Sequence, residues 1–323
     1  MLQYGYRRDV PPTKSNSRGR EQEWVDYLPI DDRPVIKWPN DARVALWICP
    51  NVLHYQYMPP HDARLMSYTR MGPPDVLMYG RQEFASRAGF WRILEILDKF
   101  DARCTAVLNT SALRRYPDIR DAIAERKWDL LGHGMSNTRF IYDHSADEER
   151  AYYQEMRDVA LELTGIEMTG MGGPGPQSAT ERTVDILAEL GFLYHGDWFL
   201  DDQPFPLNTQ TGRLISLPYS VELNDSSVLA AAYEADQFAD IIKRQFDRLY
   251  QEGKESGRVM CISIHPALMG QSQRAKYLSR ALEHIWSFEH VWHATGREIA
   301  EHYYQHTYGD VVEHITASRS NGA

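Results

Sequence analysis

The sequence predicts an α/β fold, a distorted (β/α) barrel that is closed or nearly closed and has mainly parallel strands. From residue 43 onward, apolar runs of strand length alternate with segments that carry apolar residues at helical spacing. This alternation is typical of right-handed crossovers between parallel strands. The number of such units in 323 residues favours a barrel, because α/β barrels reach this length as single domains.

The first predicted strand, 44–49, is an apolar run bounded by Asp41 and Pro50. A polar, Pro-rich stretch, 59–80, follows it. The remaining elements of the first half are a helix at 89–97, a strand at 104–108, a helix near 111–125, a strand at 130–131 and a helix opened by the capping box Ser145-Ala146-Asp147-Glu148.

The second half continues the alternation. A second capping box, Ser178-Ala179-Thr180-Glu181, opens a helix that ends near Gly191. The further predicted elements are strands at 192–197, 214–217 and 259–264, helices near 234–251 and 273–287, and a last helix from the box Thr295-Gly296-Arg297-Glu298.

We divide the chain into an extended N-terminal arm (1–40), a barrel domain (41–310) expected to carry the function, and a C-terminal tail (311–323). The arm is rich in Pro, Arg, Asp and Tyr and has no sustained period. It is expected to lie over the barrel or over a neighbouring subunit, or else to be a floppy tail. Arm contacts between subunits are the reason for expecting a homo-oligomer.

Composition excludes several classes of function. A formal net charge of -10 without a dense Lys/Arg stripe argues against binding to nucleic acid or anionic membranes. No run approaches the roughly 18 apolar residues of a membrane span, and the N-terminus has no apolar core segment of a signal peptide. Cys49, Cys104 and Cys261 lie far apart and are expected to be buried thiols. We therefore expect a soluble, cytoplasmic protein.

Polar residues follow the predicted strands, at the barrel face where functional side chains gather. His54, His133 and His265 each follow a strand, and Asp197 follows another. One such histidine alone is more often structural than catalytic, but three at equivalent strand ends favour proton transfer or metal binding. An adjacent carboxylate would fix a histidine's tautomer, and Asp197 is a candidate for that role.

Two further features point to a ligand pocket. The loop Gly170-Met171-Gly172-Gly173-Pro174-Gly175-Pro176 has enough glycines for close approach of the backbone to a substrate, although a simple turn at the barrel rim explains it equally well. Trp198 directly follows Asp197, so it is expected either to wall the pocket or to pack in the core. Neither a dinucleotide-binding fingerprint nor a P-loop is present, and no organic cofactor is expected.

Taken in order, these motifs resemble the polysaccharide deacetylase (NodB-like) superfamily, and within it the branch of allantoinase and cyclic imide hydrolases. The resemblance covers roughly residues 40 to 305. The motifs that carry it are Gly-His-Gly at 132–134, Gly-Pro-Gly-Pro at 173–176, Asp197-Trp198, Pro218-Tyr219-Ser220 with Glu222-Leu223-Asn224-Asp225, and Ile264-His265-Pro266.

The resemblance implies roles for individual residues. His265 matches the general acid that protonates the departing group, and Asp197 matches the acid that orients it. Trp198, Gly173, Pro174, Asn224 and Asp225 fall in the motifs expected to contact the substrate.

The sequence departs from the superfamily pattern at three places. Leu53 stands where the family has its catalytic base, and His54 where it has a metal-binding Asp. Of the two metal histidines, His133 is kept and Asn137 replaces the second. Gly172 stands near the place of the arginine that holds the base. Loss of the base and of its arginine is a consistent pair of changes.

Two mechanisms follow. In the preferred one, His54 and His133 bind a divalent ion, with zinc as the first choice, and Asn137, Glu222 or water completes the shell. Two histidines and an amide oxygen make a poor zinc site. In the other, no metal is needed: His133 or Glu222 activates water, and backbone donors near Gly173 stabilise the oxyanion.

The sequence thus predicts a hydrolase of non-peptide carbon–nitrogen bonds that acts on a small amide, cyclic imide or ureide. The first alternative is an N-deacetylase of a glycan or amino sugar, which usually needs an export signal and the complete Asp-His-His set. The second is a catalytically altered binding protein, in which Leu53, Asn137 and Gly172 record lost catalysis. An oriented His265 argues against the binding protein.

Overall fold

Nine strands form one sheet in the computed structural model, which describes residues 22–60, 73–174 and 180–321. The strands are β1 (Val44–Val52), β2 (Thr105–Leu108), β3 (Asp129–Gly132), β4 (Gly170–Met171), β5 (Tyr194–His195), β6 (Phe205–Leu207), β7 (Leu214–Ser216), β8 (Arg258–Ile264) and β9 (Val291–His293). Their order is β6-β7-β5-β4-β3-β2-β1-β8, and β9 also pairs with β1. Every pair is parallel except β6 with β7. The predicted distorted (β/α) barrel is confirmed.

The gap in the barrel between β7 and β8 is closed by a short contact, called the seam below. These two strands are not neighbours in the sheet, but the segment after β7 reaches β8 through an isolated parallel bridge between Asn224 and Ser263. The Ser263 N–H donates to the carbonyl of Leu223 at 2.9 Å. The barrel is therefore nearly closed, and its closure depends on a few residues at the carboxyl end of β8.

Helices cover the outside of the sheet. They are α1 (Val76–Phe84), α2 (Phe90–Lys99), α3 (Thr110–Arg115), α4 (Pro117–Glu125), α5 (Ala146–Thr164), α6 (Thr183–Glu189), α7 (Asp225–Ala230), α8 (Ala235–Glu252), α9 (Ala275–Trp286), α10 (Gly296–His306) and α11 (Tyr308–Asn321). A π-helical turn, Ala85–Gly89, joins α1 to α2. Within the described residues, no helix combines the length and apolar character needed to cross a membrane.

All nine residues of β1 are buried, because this strand lies between two apolar layers. Val44, Leu46 and Ile48 pack with the outer helices, whereas Ala45, Trp47 and Cys49 belong to a second cluster that fills the barrel. Successive side chains of a strand point to opposite faces, so a central strand enclosed on both sides must be apolar throughout. This explains the unbroken apolar run at the start of the predicted barrel.

Some elements differ from the sequence prediction for local reasons. The helix expected at 111–125 is two helices, because Tyr116 precedes Pro117 and leaves the helical region at φ -124° and ψ 73°. Strands β6 and β9 are three residues long and escaped prediction. Of the second capping box, Ser178 and Ala179 lie outside the described residues, and the helix begins at Thr183.

Both ends of the described chain pack on the barrel. In the described part of the arm, Leu28, Ile36 and Trp38 are buried, and the Trp38 indole donates to the carbonyl of Arg258 at 3.0 Å. The segment set apart as a tail forms most of α11, which buries Val311 and Ile315. The described arm thus covers its own barrel, and homo-oligomerisation stays a prediction.

Candidate active site

A cavity of about 650 Å³ opens at the carboxyl ends of the parallel strands. Its floor and walls come from the ends of several strands, as expected for an α/β barrel. The residues that line it and enter the argument below are Asn51, Leu53, Tyr55, Arg81, Leu131, His133, Asn137, Gly172, Asp197, Phe199, Tyr219, Asn224, His265 and Arg274. This volume suits a small molecule that is largely enclosed.

His265 follows β8 and is held by a buried carboxylate. Its Nδ1 lies 2.6 Å from Oδ1 of Asp225, and its backbone N–H donates to Oδ2 of the same residue at 2.8 Å. Asp225 is completely buried at the start of α7. Because an ionised carboxylate only accepts hydrogen bonds, Nδ1 carries the hydrogen and Nε2 is left for the cavity.

This pairing corrects two sequence-based assignments. Asp225, which was expected to contact substrate, is instead the residue that orients His265. Asp197, which was expected to orient His265, makes its hydrogen bonds elsewhere. The seam explains the difference, since the Asn224–Ser263 bridge brings the segment after β7 beside the end of β8.

His133 follows β3 and is held by a backbone carbonyl. Its Nδ1 donates to the carbonyl of Gly172 at 3.1 Å, so the lone pair of the neutral ring lies on Nε2. Burial lowers the pKa of His133 to about 4; the charge of Asp197 opposes this shift, and the charge of His265 adds to it. The ring is therefore neutral near pH 7, and its environment includes both Asp197 and His265.

Asp197 ends a chain of hydrogen bonds that starts at Trp198. The Trp198 indole donates to Nδ1 of His195 at 3.1 Å, which leaves Nε2 of His195 to donate to Asp197 at 3.2 Å. The N–H of Gly173 also donates to the Asp197 carboxylate, at 2.9 and 3.1 Å from its two oxygens. Asp197 thus faces the cavity with its carboxylate fixed in place, and its charge acts on His133.

Gly172 gives the Asp197 carboxylate room. A Cβ added at Gly172 would lie 3.2 Å from Oδ1 of Asp197, closer than most side-chain contacts allow. The same residue lines the cavity and holds His133 through its carbonyl. The small residue at this place is therefore part of how the site is built.

The predicted metal ligands do not form a set. His54 is absent from the cavity lining, and its Nδ1 lies 2.8 Å from the hydroxyl of Ser111. Asn137 lines the cavity, but its amide nitrogen donates to the Tyr55 hydroxyl at 2.5 Å, and its buried oxygen has no hydrogen-bond partner within the described ranges. Among the described residues, no three His, Cys, Asp or Glu side chains are grouped to hold an ion.

The described residues therefore do not bring His54, His133 and Asn137 together as a ligand set, and a metal site stays a prediction. Strand alternation explains the failure at His54, because Leu53 and Tyr55 point into the cavity and His54 points away. His133 is the one predicted metal ligand that offers a ring nitrogen to the cavity. A tetrahedral zinc site needs three or four donors, which the described residues do not supply.

Several other predicted residues also lie elsewhere. Glu222 is exposed and lines a neighbouring cavity, so it is not placed to activate water in the main one. Trp198 packs against the outer apolar cluster, and Phe199 lines the cavity in its place.

The glycine-rich loop does not supply the predicted oxyanion donor, because the Gly173 N–H donates to Asp197. Pro174 is buried away from the lining, and Gly175 and Pro176 lie outside the described residues. Asn224 does line the cavity, and its side chain caps α7.

Sequence reasoning missed a polar cluster at the cavity floor. The amide of Asn51 donates to the Ser263 hydroxyl at 2.9 Å, and that hydroxyl lies 2.6 Å from the hydroxyl of Tyr219. Burial raises the pKa of Tyr219 well above its usual value, which keeps the phenol protonated. Asn51 lies on the same face of β1 as Trp47 and Cys49 of the inner cluster, but the sequence does not mark that face, because the residues before Asn51 are apolar on both faces.

Comparisons with known proteins cover most of the chain. No family model matches the chain. A curated protein of Schizosaccharomyces pombe named "Putative polysaccharide deacetylase" is 26% identical over 309 residues, and the match covers 84% of this chain and 93% of that protein. The structure of Puue allantoinase superposes with a TM-score of 0.74 at 27% identity and covers 87% of this chain and 99% of its own. A structure from Pseudomonas aeruginosa PAO1, named "probable Polysaccharide deacetylase", superposes with a TM-score of 0.73 at 26% identity, over 84% and 95% of the two chains.

Proposed function

The chain belongs to the polysaccharide deacetylase (NodB-like) superfamily, and from this membership we propose that it hydrolyses a carbon–nitrogen bond in a small amide, cyclic imide or ureide. One observation carries the proposal. His133 and His265 line the same cavity, and their Nδ1 atoms have opposite kinds of anchor, a neutral carbonyl and a buried carboxylate. Such a difference in environment separates a base from an acid.

His133 supplies the base. Its Nδ1–H is tied to the carbonyl of Gly172, so Nε2 accepts a proton from the water that attacks the substrate carbonyl. The low pKa weakens this base but keeps it in the accepting form at every pH above about 4. Asp197, fixed by Gly173 and His195, balances the positive charge that His133 gains when it takes the proton.

His265 supplies the acid. Its Nε2–H protonates the departing nitrogen, and Asp225 keeps the ring in the orientation and tautomer that this transfer needs. Water is consumed, the carbon–nitrogen bond breaks, and the products are a carboxylate and an amine or amide. Because the predicted metal ligands do not form a set in the described chain, no step of this mechanism passes through a metal.

The cavity supports a small substrate better than a polymer. Its volume is about 650 Å³, and its lining includes side chains of α1 and of the loop after β8, among them Met78 and Leu268. The likeness to Puue allantoinase points in the same direction. The two relatives named as polysaccharide deacetylases favour the alternative, deacetylation of an acetylated sugar.

A substrate panel tests the proposal. Purified protein is assayed for hydrolysis of allantoin, hydantoin and phthalimide, and of N-acetylglucosamine and its oligomers, with metal content measured on the same sample. We expect turnover of a cyclic ureide or imide that His265→Ala abolishes. Turnover of acetylated sugars alone would favour the deacetylase, and no turnover of any member would favour a binding protein.

A further inference from the structure

Two arginines line the cavity with no partner for their guanidinium groups in the part of the chain that the structure describes. Arg81 and Arg274 make no ion pair, side-chain hydrogen bond or ring contact among the described residues, although both line the wall of the cavity. By contrast, Arg115 pairs with Glu83 at 2.9 Å and Arg126 with Asp98 at 2.7 Å. Arg81 is exposed and Arg274 is half-buried, so both guanidinium groups are available to a ligand that enters the cavity.

The charges that share the cavity do not neutralise these arginines. Asp197 is the one acid among the described lining residues, and its carboxylate is bound by Gly173 and His195. The nearby Asp225 is buried and bound to His265. Among the described lining residues, two side chains are therefore positively charged, and the one carboxylate is already hydrogen-bonded.

Arg274 lies on the segment that carries His265, and Arg81 lies on a helix whose continuation packs against that segment. Arg274 lies at the end of the loop that follows His265 and immediately precedes α9. Arg81 lies on α1, which runs through the π-helical turn into α2. That turn touches the loop directly, since a Cβ added at Gly270 would lie 2.5 Å from Cα of Gly89. Arg81, Arg274 and the proposed acid His265 thus lie on elements that pack against each other.

We propose that Arg81 and Arg274 bind a carboxylate of the substrate, so that the substrate is an anionic ureido, amido or imido acid. This inference rests on the proposed function for the bond that is cleaved, and it adds the group that anchors the molecule. The planar guanidinium fork matches a carboxylate in geometry and charge. Arg81 and Arg274 line the same cavity as His133 and His265, so an anchored molecule shares that cavity with the proposed base and acid.

The test compares two ligands that differ in one charge. Hydantoin-5-acetic acid and its primary amide have the same shape, and calorimetry measures their binding to the wild-type chain and to His265→Ala. We expect the acid to bind on the order of tenfold more tightly than the amide, the effect of one charge-assisted hydrogen bond. Added salt should weaken binding of the acid and leave the amide unchanged.

Arginine variants assign the effect to these two residues. Arg81→Met and Arg274→Met should each remove most of the preference for the acid. Arg114→Met is the matched control, because Arg114 is exposed on α3, makes no described side-chain contact and lies outside the cavity. Unfolding temperatures of the three variants, close to that of the wild type, would show that the comparison concerns binding.

The outcomes separate this inference from the proposed function. Equal affinity for acid and amide, a preference that survives both cavity variants, or tighter binding of inorganic phosphate than of the acid would overturn the carboxylate site. A preference for the acid without hydrolysis of any substrate would count against the proposed function alone. Hydrolysis of the acid and the amide with equal kcat/KM would count against the carboxylate site alone.

Discussion

Asp225→Asn is the substitution that most directly tests how His265 is held. The Asp225 carboxylate accepts two hydrogen bonds from His265, at 2.8 Å from the backbone nitrogen and 2.6 Å from Nδ1. An amide has a single acceptor oxygen, so asparagine can serve only one of them. If its oxygen keeps the backbone N–H, its NH₂ group faces the ring and forces Nδ1 to accept.

That exchange moves the ring hydrogen from Nδ1 to Nε2. The Nε2 lone pair, which must take up a proton before His265 can act as an acid, is then no longer available. General acid–base catalysis contributes about 10²- to 10⁴-fold, so we expect kcat to fall on the order of 10³-fold, or about 4 kcal/mol in the barrier. KM should change little, because Asp225 is buried behind His265 and does not line the cavity.

The assay is steady-state hydrolysis of the best substrate from the panel, together with ¹⁵N NMR of the His265 ring, which distinguishes the two tautomers. Glu222→Gln is the matched control, since it makes the same chemical change on an exposed side chain outside the main cavity. A kcat for Asp225→Asn within about threefold of the wild type, with the Nδ1–H tautomer retained, would refute the assigned role.

Four further outcomes are expected. His265→Ala should abolish turnover and leave the unfolding temperature nearly unchanged, and near-normal rates would remove this residue from the mechanism. Because the pKa of His133 is lowered to about 4, kcat/KM should rise with pH through about 4; an acid limb near the ordinary histidine value of 6.5 would show that another group is the base. His54→Gln should keep kcat within about threefold, because its ring points away from the cavity, and a loss of 100-fold would restore it as a ligand or catalyst. Burial raises the pKa of Asp129 from 3.8 to about 6, so its ionisation opposes folding as pH rises through that range; Asp129→Asn should gain up to about 3 kcal/mol in relative stability between pH 4 and pH 7 by urea unfolding, and a difference independent of pH would contradict this.

The fold and the position of the site could be predicted because both depend on local patterns. Apolar runs that alternate with amphipathic helices specify parallel strands, and the carboxyl ends of parallel strands meet at one face. His133 and His265 lie in the cavity for that reason. The same rule placed Asp197 and Asn224 there.

The pairing of residues across the site could not be read from the sequence. Asp197 and Asp225 both follow strands, and the choice between them as the partner of His265 depends on the segment that closes the barrel after β7. His54 failed for a different reason. Because β1 is apolar on both faces, its sequence alone does not show which parity faces the interior, and the neighbour Leu53 proved to be the inward one.

No sequence pattern marks Arg81 and Arg274 as cavity residues. Arg81 lies on a helix and Arg274 at the end of a loop, and neither position differs in pattern from the many surface arginines of the chain. Their meaning depends on which cavity they line and on the absence of described partners. Both are properties of the packed chain.

The bridge between Asn224 and Ser263 joins catalysis to the local stability of the barrel. The residue after Asn224 is the carboxylate that holds His265, and His265 lies two residues beyond Ser263. A fluctuation that opens this bridge would therefore also separate Asp225 from His265. Amide hydrogen exchange at Ser263, whose N–H is bound to Leu223, then reports the fraction of molecules in which the catalytic pair is assembled, and a ligand that slows this exchange binds the assembled form.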